Sequence, residues 1–133
     1  MAMAGGRAME IETNATIRPG DELVSTGAAF NCGLKLSNSA VPPGKRIREA
    51  AIRDLQASGQ ARWKFVVTAL ADLREIAELQ EAYGLTEIWL SPEGTTPAVV
   101  IRRMRLVAEA ALEHGWHLTT REHVLIWGGE RGR

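Results

Sequence analysis

Cysteine is nearly absent from this chain: Cys32 is the only one in 133 residues. A lone thiol excludes an internal disulfide and any metal or cluster site built from several thiolates of this chain. Net charge is also missing, because sixteen basic residues are balanced by sixteen acidic ones. No overall field draws the chain to nucleic acid or to an anionic membrane surface. Long apolar runs are lacking too: Ile88 to Leu90 and Val124 to Trp127 fall far short of the roughly 20 residues of a membrane span. Neither a nucleic-acid nor a membrane partner is expected. Met1 to Ala8 is small and Gly-containing with no apolar leader core, so it reads as a ragged start ahead of a cytoplasmic domain. The three histidines have no carboxylates at ligand spacing, and no metal site is expected from them.

What is present suits a folded domain. Hydrophobic residues make up 45% and charged residues 24% of the chain, near the globular average. A chain of this length buries roughly two-thirds of its unfolded surface and forms one domain.

Met9 to Thr13 alternates apolar and polar side chains, which predicts a short strand. Ile17 to Asp21 is a Pro-Gly turn, and Glu22 to Ser25 is expected as a second short strand. Residues 26–44, rich in Gly, Ser, Asn and Pro, are expected as a long loop of the kind that carries function. Ile47, Ala51 and Leu55 at helical spacing predict a helix over 46–58 that stops at Gly59. Arg62 to Thr68 is a β-branched and aromatic strand, followed by a helix over 70–83 with Thr68 as its cap and Gly84 as its stop. Glu87 to Ser91 is the next strand. It runs into Pro92-Glu93-Gly94-Thr95-Thr96 and a helix over 98–114, with Arg102, Arg103 and Glu109 facing solvent. Residues 116–118 and 122–127 complete the strands, and 128–133 is a polar tail. Strands and helices alternating in this way imply βαβ units in a largely parallel sheet, short of the about 250 residues of a closed eight-stranded barrel.

Four stretches then carry a resemblance: Glu12-Thr13-Asn14-Ala15-Thr16, Lys35-Leu36-Ser37-Asn38-Ser39, Ser91-Pro92-Glu93-Gly94 and His123-Val124-Leu125-Ile126-Trp127-Gly128, with Trp63-Lys64-Phe65-Val66-Val67 between the second and third. In that order and at those intervals the chain resembles the C-terminal portion of 7-carboxy-7-deazaguanine synthases. The resemblance implies an α/β fold, a partial, TIM-like barrel of mostly parallel strands, with residues 1–133 as the C-terminal part of a radical S-adenosylmethionine domain. It implies the ring contraction of 6-carboxy-5,6,7,8-tetrahydropterin to 7-carboxy-7-deazaguanine, on the route to queuosine and related deazapurines. The family's cofactors are S-adenosylmethionine, a [4Fe–4S] cluster and magnesium.

Residue by residue, Thr13 matches the threonine of a Glu-Thr-x-Gly-Thr stretch that contacts the pterin, and His123 matches a histidine near the substrate. Ala15 stands at that stretch's glycine, beside which S-adenosylmethionine packs, and adds a methyl there. Gly33-Leu34-Lys35 matches a cofactor-lining Ser-Pro-Lys, of which only Lys35 is kept. Ser91, Pro92, Glu93 and Gly94 match the loop that holds the adenosyl group. The family's Cys-x3-Cys-x2-Cys, whose thiolates hold the cluster, has no counterpart in these residues, so the chain alone is expected to be inactive. Either a homodimer or a partner carrying the N-terminal cluster segment is implied. The alternative from another class is a non-catalytic half-barrel that binds a nucleoside or pterin.

Apart from the resemblance, the same residues have plainer roles. Lys35 among Ser and Asn reads as a solvated loop, His123 as a hydrogen-bonded core histidine, and His114 and His117 as structural groups flanking a helix end. Glu93 is an exposed turn carboxylate, and the four tryptophans belong to the core. An incomplete barrel also leaves a strand edge exposed, which favours self-association.

Overall fold

Alternation is strongest along Ala61–Val67, where buried and exposed residues follow one another without a break. That strand is the middle of the sheet. The computed structural model describes residues 3–4 and 7–119. At its start β1 (Met3–Ala4) and β2 (Arg7–Ala8) form a small antiparallel pair. Then β3 (Glu10–Thr13), β4 (Ala29–Gly33), β5 (Ala61–Val67), β6 (Ile88–Pro92) and β7 (His117–Leu118) make one open sheet, in chain order and parallel throughout.

Between the strands lie α1 (Asp21–Ser25), a 3₁₀ turn at Ser37–Ser39, α2 (Pro43–Arg46), α3 (Glu49–Ala57), α4 (Ala71–Tyr83) and α5 (Pro97–His114). Parallel crossovers are right-handed, so a sheet that grows in one direction collects its helices on one face. The core has that arrangement. Ile52 and Leu55 of α3, Ile76 of α4, and Val107 and Ala111 of α5 share one buried cluster with Phe30, Cys32, Trp63, Phe65, Ile88 and Leu90. Each fully buried aliphatic or Phe side chain there contributes about 1.5–3 kcal/mol. The other face of the same strands carries Glu10, Glu12, Asn31, Arg62, Lys64 and Trp89, all exposed or half-buried. No helix among the described residues is long and apolar enough to cross a membrane.

The stops at Gly59, Gly84 and Gly115 hold: each has a left-handed φ, between 65° and 72°, a conformation that favours glycine. Three expectations need correction. Glu22 to Ser25 is helical, part of α1, whose first turn carries Asp21 and Glu22; acidic groups favour a helix N-terminus. Residues 26–44 are not one loop, since they contain β4, the 3₁₀ turn and the start of α2. Phe30 and Cys32 point into the core from β4 and are 2% and 0% exposed. Thr68 does not cap α4 directly: its backbone N–H and hydroxyl donate to Asp72 Oδ2 at 2.7 and 2.9 Å, so the acid of the first turn is the capping group.

Candidate functional site

Ligands of parallel α/β sheets bind beyond the carboxyl ends of the strands, where loops diverge. Here β4 ends at Gly33, β5 at Val67 and β6 at Pro92. Beyond them opens a cleft of about 510 Å³, whose walls include Gly33, Leu34, Lys35, Lys64, Thr68 and Glu93. Four residues singled out from two distant motifs therefore meet at one cleft. Ser91 and Pro92 are buried at the end of β6 and do not line it. Gly94 is buried just beyond them: a Cβ there would lie 2.9 Å from Val99 Cγ1 and 3.1 Å from Val100 Cγ2. Only a glycine lets the strand end sit this close to the first turn of α5, whose cap Thr96 Oγ1 accepts from Val99 N at 3.3 Å. His123 lies outside the described residues.

Thr13 lines a separate hollow of about 190 Å³ with Arg18, Pro19 and Phe30. Its hydroxyl accepts from Ala15 N at 3.1 Å, which tightens the turn leaving β3. Ala15 has φ +60° and is fully buried in the core cluster, so its cost is one of backbone conformation.

Charge in the cleft is unequal. Glu93 is held by Arg103, which donates to its backbone oxygen at 2.5 Å and pairs with its carboxylate. Arg103 is therefore half-buried and engaged where the sequence placed it in solvent, and Glu93 is neutralised. Lys35 and Lys64 are exposed, and the ammonium group of neither takes part in an ion pair or hydrogen bond among the described residues. Two uncompensated ammoniums make the cleft favourable for an anion such as a carboxylate.

Lys64 also borders a second hollow, of about 270 Å³, on the open sheet face with Glu12, Asn31, Arg62, Trp89 and Thr119. Trp63 and Trp116 are in the core, at 0% and 6% exposure. Trp89 is not: it is half-buried on this face and stacks on His117 at 4.4 Å. His114, in the last turn of α5, stacks on Trp116 at 4.2 Å. Trp127 lies outside the described residues.

Cys32 points to the helix-covered side, and burial, then the charge of Glu12, pushes its thiol up to about 12. It is a protonated core side chain that does not fit an iron site. Among the described residues no three His, Cys, Asp or Glu side chains are grouped to hold a metal ion. The cleft does fit a cofactor with a carboxylate: its volume lies within the about 300–1,000 Å³ of small-molecule sites, and its free cations are lysines.

Sequence reasoning missed Arg46, Asp72 and Glu75. Asp72 Oδ2 accepts from Asn38 Nδ2 at 2.9 Å and Ala69 N at 3.1 Å, besides Thr68. Burial alone would raise its pKa, but the hydrogen bonds from Thr68, Asn38 and Ala69 together outweigh burial and lower it. An acid four residues after a threonine at a strand end was the available signal, akin to the reciprocal cap of a helix start.

No protein-family model matches the chain. Among curated proteins, the 7-carboxy-7-deazaguanine synthase of Pyrobaculum aerophilum is 30% identical over 128 residues, which is 94% of this chain and 54% of that protein. The 7-carboxy-7-deazaguanine synthase of Halobacterium salinarum is 38% identical over 91 residues, 62% of this chain and 35% of that protein. The chain thus spans about half the length of the first relative and about a third of the second. It is similar in sequence, over nearly all of its own length, to part of the 7-carboxy-7-deazaguanine synthases.

Proposed function

We propose that this chain is the C-terminal portion of a radical S-adenosylmethionine enzyme of the 7-carboxy-7-deazaguanine synthase type, and that the cleft beyond β4, β5 and β6 receives S-adenosylmethionine. The five parallel strands are then an arc of an incomplete barrel, and the open sheet face is its interior. One observation carries the reading: Gly33, Leu34 and Lys35 from one family-like motif and Glu93 from another line a single cleft. Lys35 binds the carboxylate of the methionyl group. The β6–α5 loop, held by the Glu93–Arg103 pair, packs against the adenosyl group.

Bound S-adenosylmethionine would supply radical chemistry once an electron reaches it from an iron–sulfur cluster. Cys32 cannot hold that cluster, so its thiolates belong to polypeptide other than these residues. The substrate of the completed site is the carboxy-tetrahydropterin, with His123 as its contact on this chain, while Thr13 shapes the turn that leaves β3. Calorimetric titration of the chain with S-adenosylmethionine tests the reading. Saturable binding that Lys35→Ala weakens at least about tenfold supports it; no binding to a folded sample, or binding indifferent to Lys35, refutes it.

A further inference from the structure

Lys35 sits on a segment with little regular structure of its own, and what holds it comes from far away in the chain. Leu34 and Leu36 on either side are each 2% exposed and fix the backbone from below. From above, the Lys35 carbonyl accepts from Arg46 Nη1 at 3.4 Å. Arg46 is 8% exposed and is itself held by Glu75 Oε2 at 3.3 Å and the Val41 carbonyl at 3.0 Å. Glu75 also receives the Ser37 N–H at 3.0 Å and the Ser37 hydroxyl at 2.7 Å. One turn earlier on α4, Asp72 holds the Asn38 side chain, which also donates to the Val66 carbonyl at 3.1 Å.

We infer that Asp72 and Glu75, one turn apart on α4, are positioning residues that clamp the segment from Lys35 to Ser39 as a wall of the cleft, with Arg46 relaying Glu75 to the Lys35 backbone. Neither carboxylate lines the cleft. Both act through the segment they hold, and they give the Ser37-Asn38-Ser39 turn its role. A core-only function would need neither the Ser37 N–H nor the Lys35 carbonyl. Both belong to the backbone of the segment whose Lys35, Leu36, Asn38 and Ser39 line the cleft, and burying Arg46 and Asp72 is costly unless their partners are in place. The consequence for affinity rests on the proposed function, because it takes the cleft as the S-adenosylmethionine site.

Two readouts separate the clamp from that reading. Amide hydrogen exchange at Ser37 reports Glu75 directly, and exchange at Thr68 and Ala69 reports Asp72. In Glu75→Ala the Ser37 amide is expected to exchange at least about tenfold faster while amides in α5 are unchanged, and Glu75→Gln restores part of the protection through its remaining acceptor oxygen. In Asp72→Ala, Thr68 and Ala69 lose protection in the same way. Both Ala variants should bind S-adenosylmethionine at least about tenfold more weakly than the parent chain. If Ser37 stays protected in Glu75→Ala, or if the segment loosens with affinity unchanged, the positioning role is overturned. If the parent chain binds no S-adenosylmethionine, the cleft reading fails, and the clamp stands or falls on the exchange data.

Discussion

The two faces of one sheet differ as sharply as two proteins. On the helix side Phe30, Cys32, Trp63, Phe65 and Leu90 are all at most 2% exposed. One residue along the same strands, Asn31, Arg62, Lys64 and Trp89 form a charged and half-open surface. Because side chains alternate with a period of two, a single register encodes both core and site. The lesson is that the packed core and the polar, accessible surface here are separable by parity along each strand.

The largest effect that would sharpen this contrast is at Trp63, which is fully buried and donates from Nε1 to Gln56 at 2.8 Å. Trp63→Ala should cost about 3–5 kcal/mol in urea unfolding, whereas its neighbour Arg62→Ala, on exposed ion pairs with Glu10 and Glu87, should change stability by less than about 1 kcal/mol. Comparable losses at the two positions would break the comparison.

Next comes Gly94→Ala. The added methyl meets Val99 and Val100 and should cost about 1–3 kcal/mol, read as a lowered urea midpoint with unchanged m-value.

Acid is the third lever. The folded-state pKa of Asp72 is lowered, so the stability it contributes is complete above the unfolded-state value of about 3.9 and is lost as pH falls through the folded-state value. Urea midpoints measured on descending below about pH 5 should therefore fall more steeply in the parent chain than in Asp72→Asn. Parallel curves would show that Asp72 adds nothing.

Much of this fold was legible in the sequence. The central strand β5, the following α4, β6 and α5 announce themselves through uninterrupted periodicity and through the glycine stops. Strand β4 did not, because Ala29-Phe30-Asn31-Cys32-Gly33 holds Asn and Gly, which strands disfavour, and Ala, which they disfavour less. It is a strand because it pairs on both sides with β3 and β5. Gly33, Leu34, Lys35 and Glu93, singled out by their motifs, line one cleft in the structure. Asp72 and Glu75 were not singled out, since their partners Asn38 and Ser37 lie 34 and 38 residues away and no local pattern joins them.

The smallest stability change is expected at Ala15. Ala15→Gly relieves a left-handed φ that costs about 1–2 kcal/mol in a residue with a Cβ. It also gives up one buried methyl, about 0.8 kcal/mol, and adds chain entropy to the unfolded state. The net shift in unfolding free energy should stay within about 1 kcal/mol of zero.

The central claim is that the polar side of the strand ends holds the ligand. Its most direct test is an NMR titration of the isotope-labelled chain with S-adenosylmethionine, following backbone amides. Shifts concentrated at Gly33, Lys35, Lys64, Thr68 and Glu93, with Phe30, Phe65 and Ile76 unmoved, are the predicted result; shifts confined to the hollow around Glu12, Asn31 and Trp89, or no shifts at saturating ligand, would contradict it.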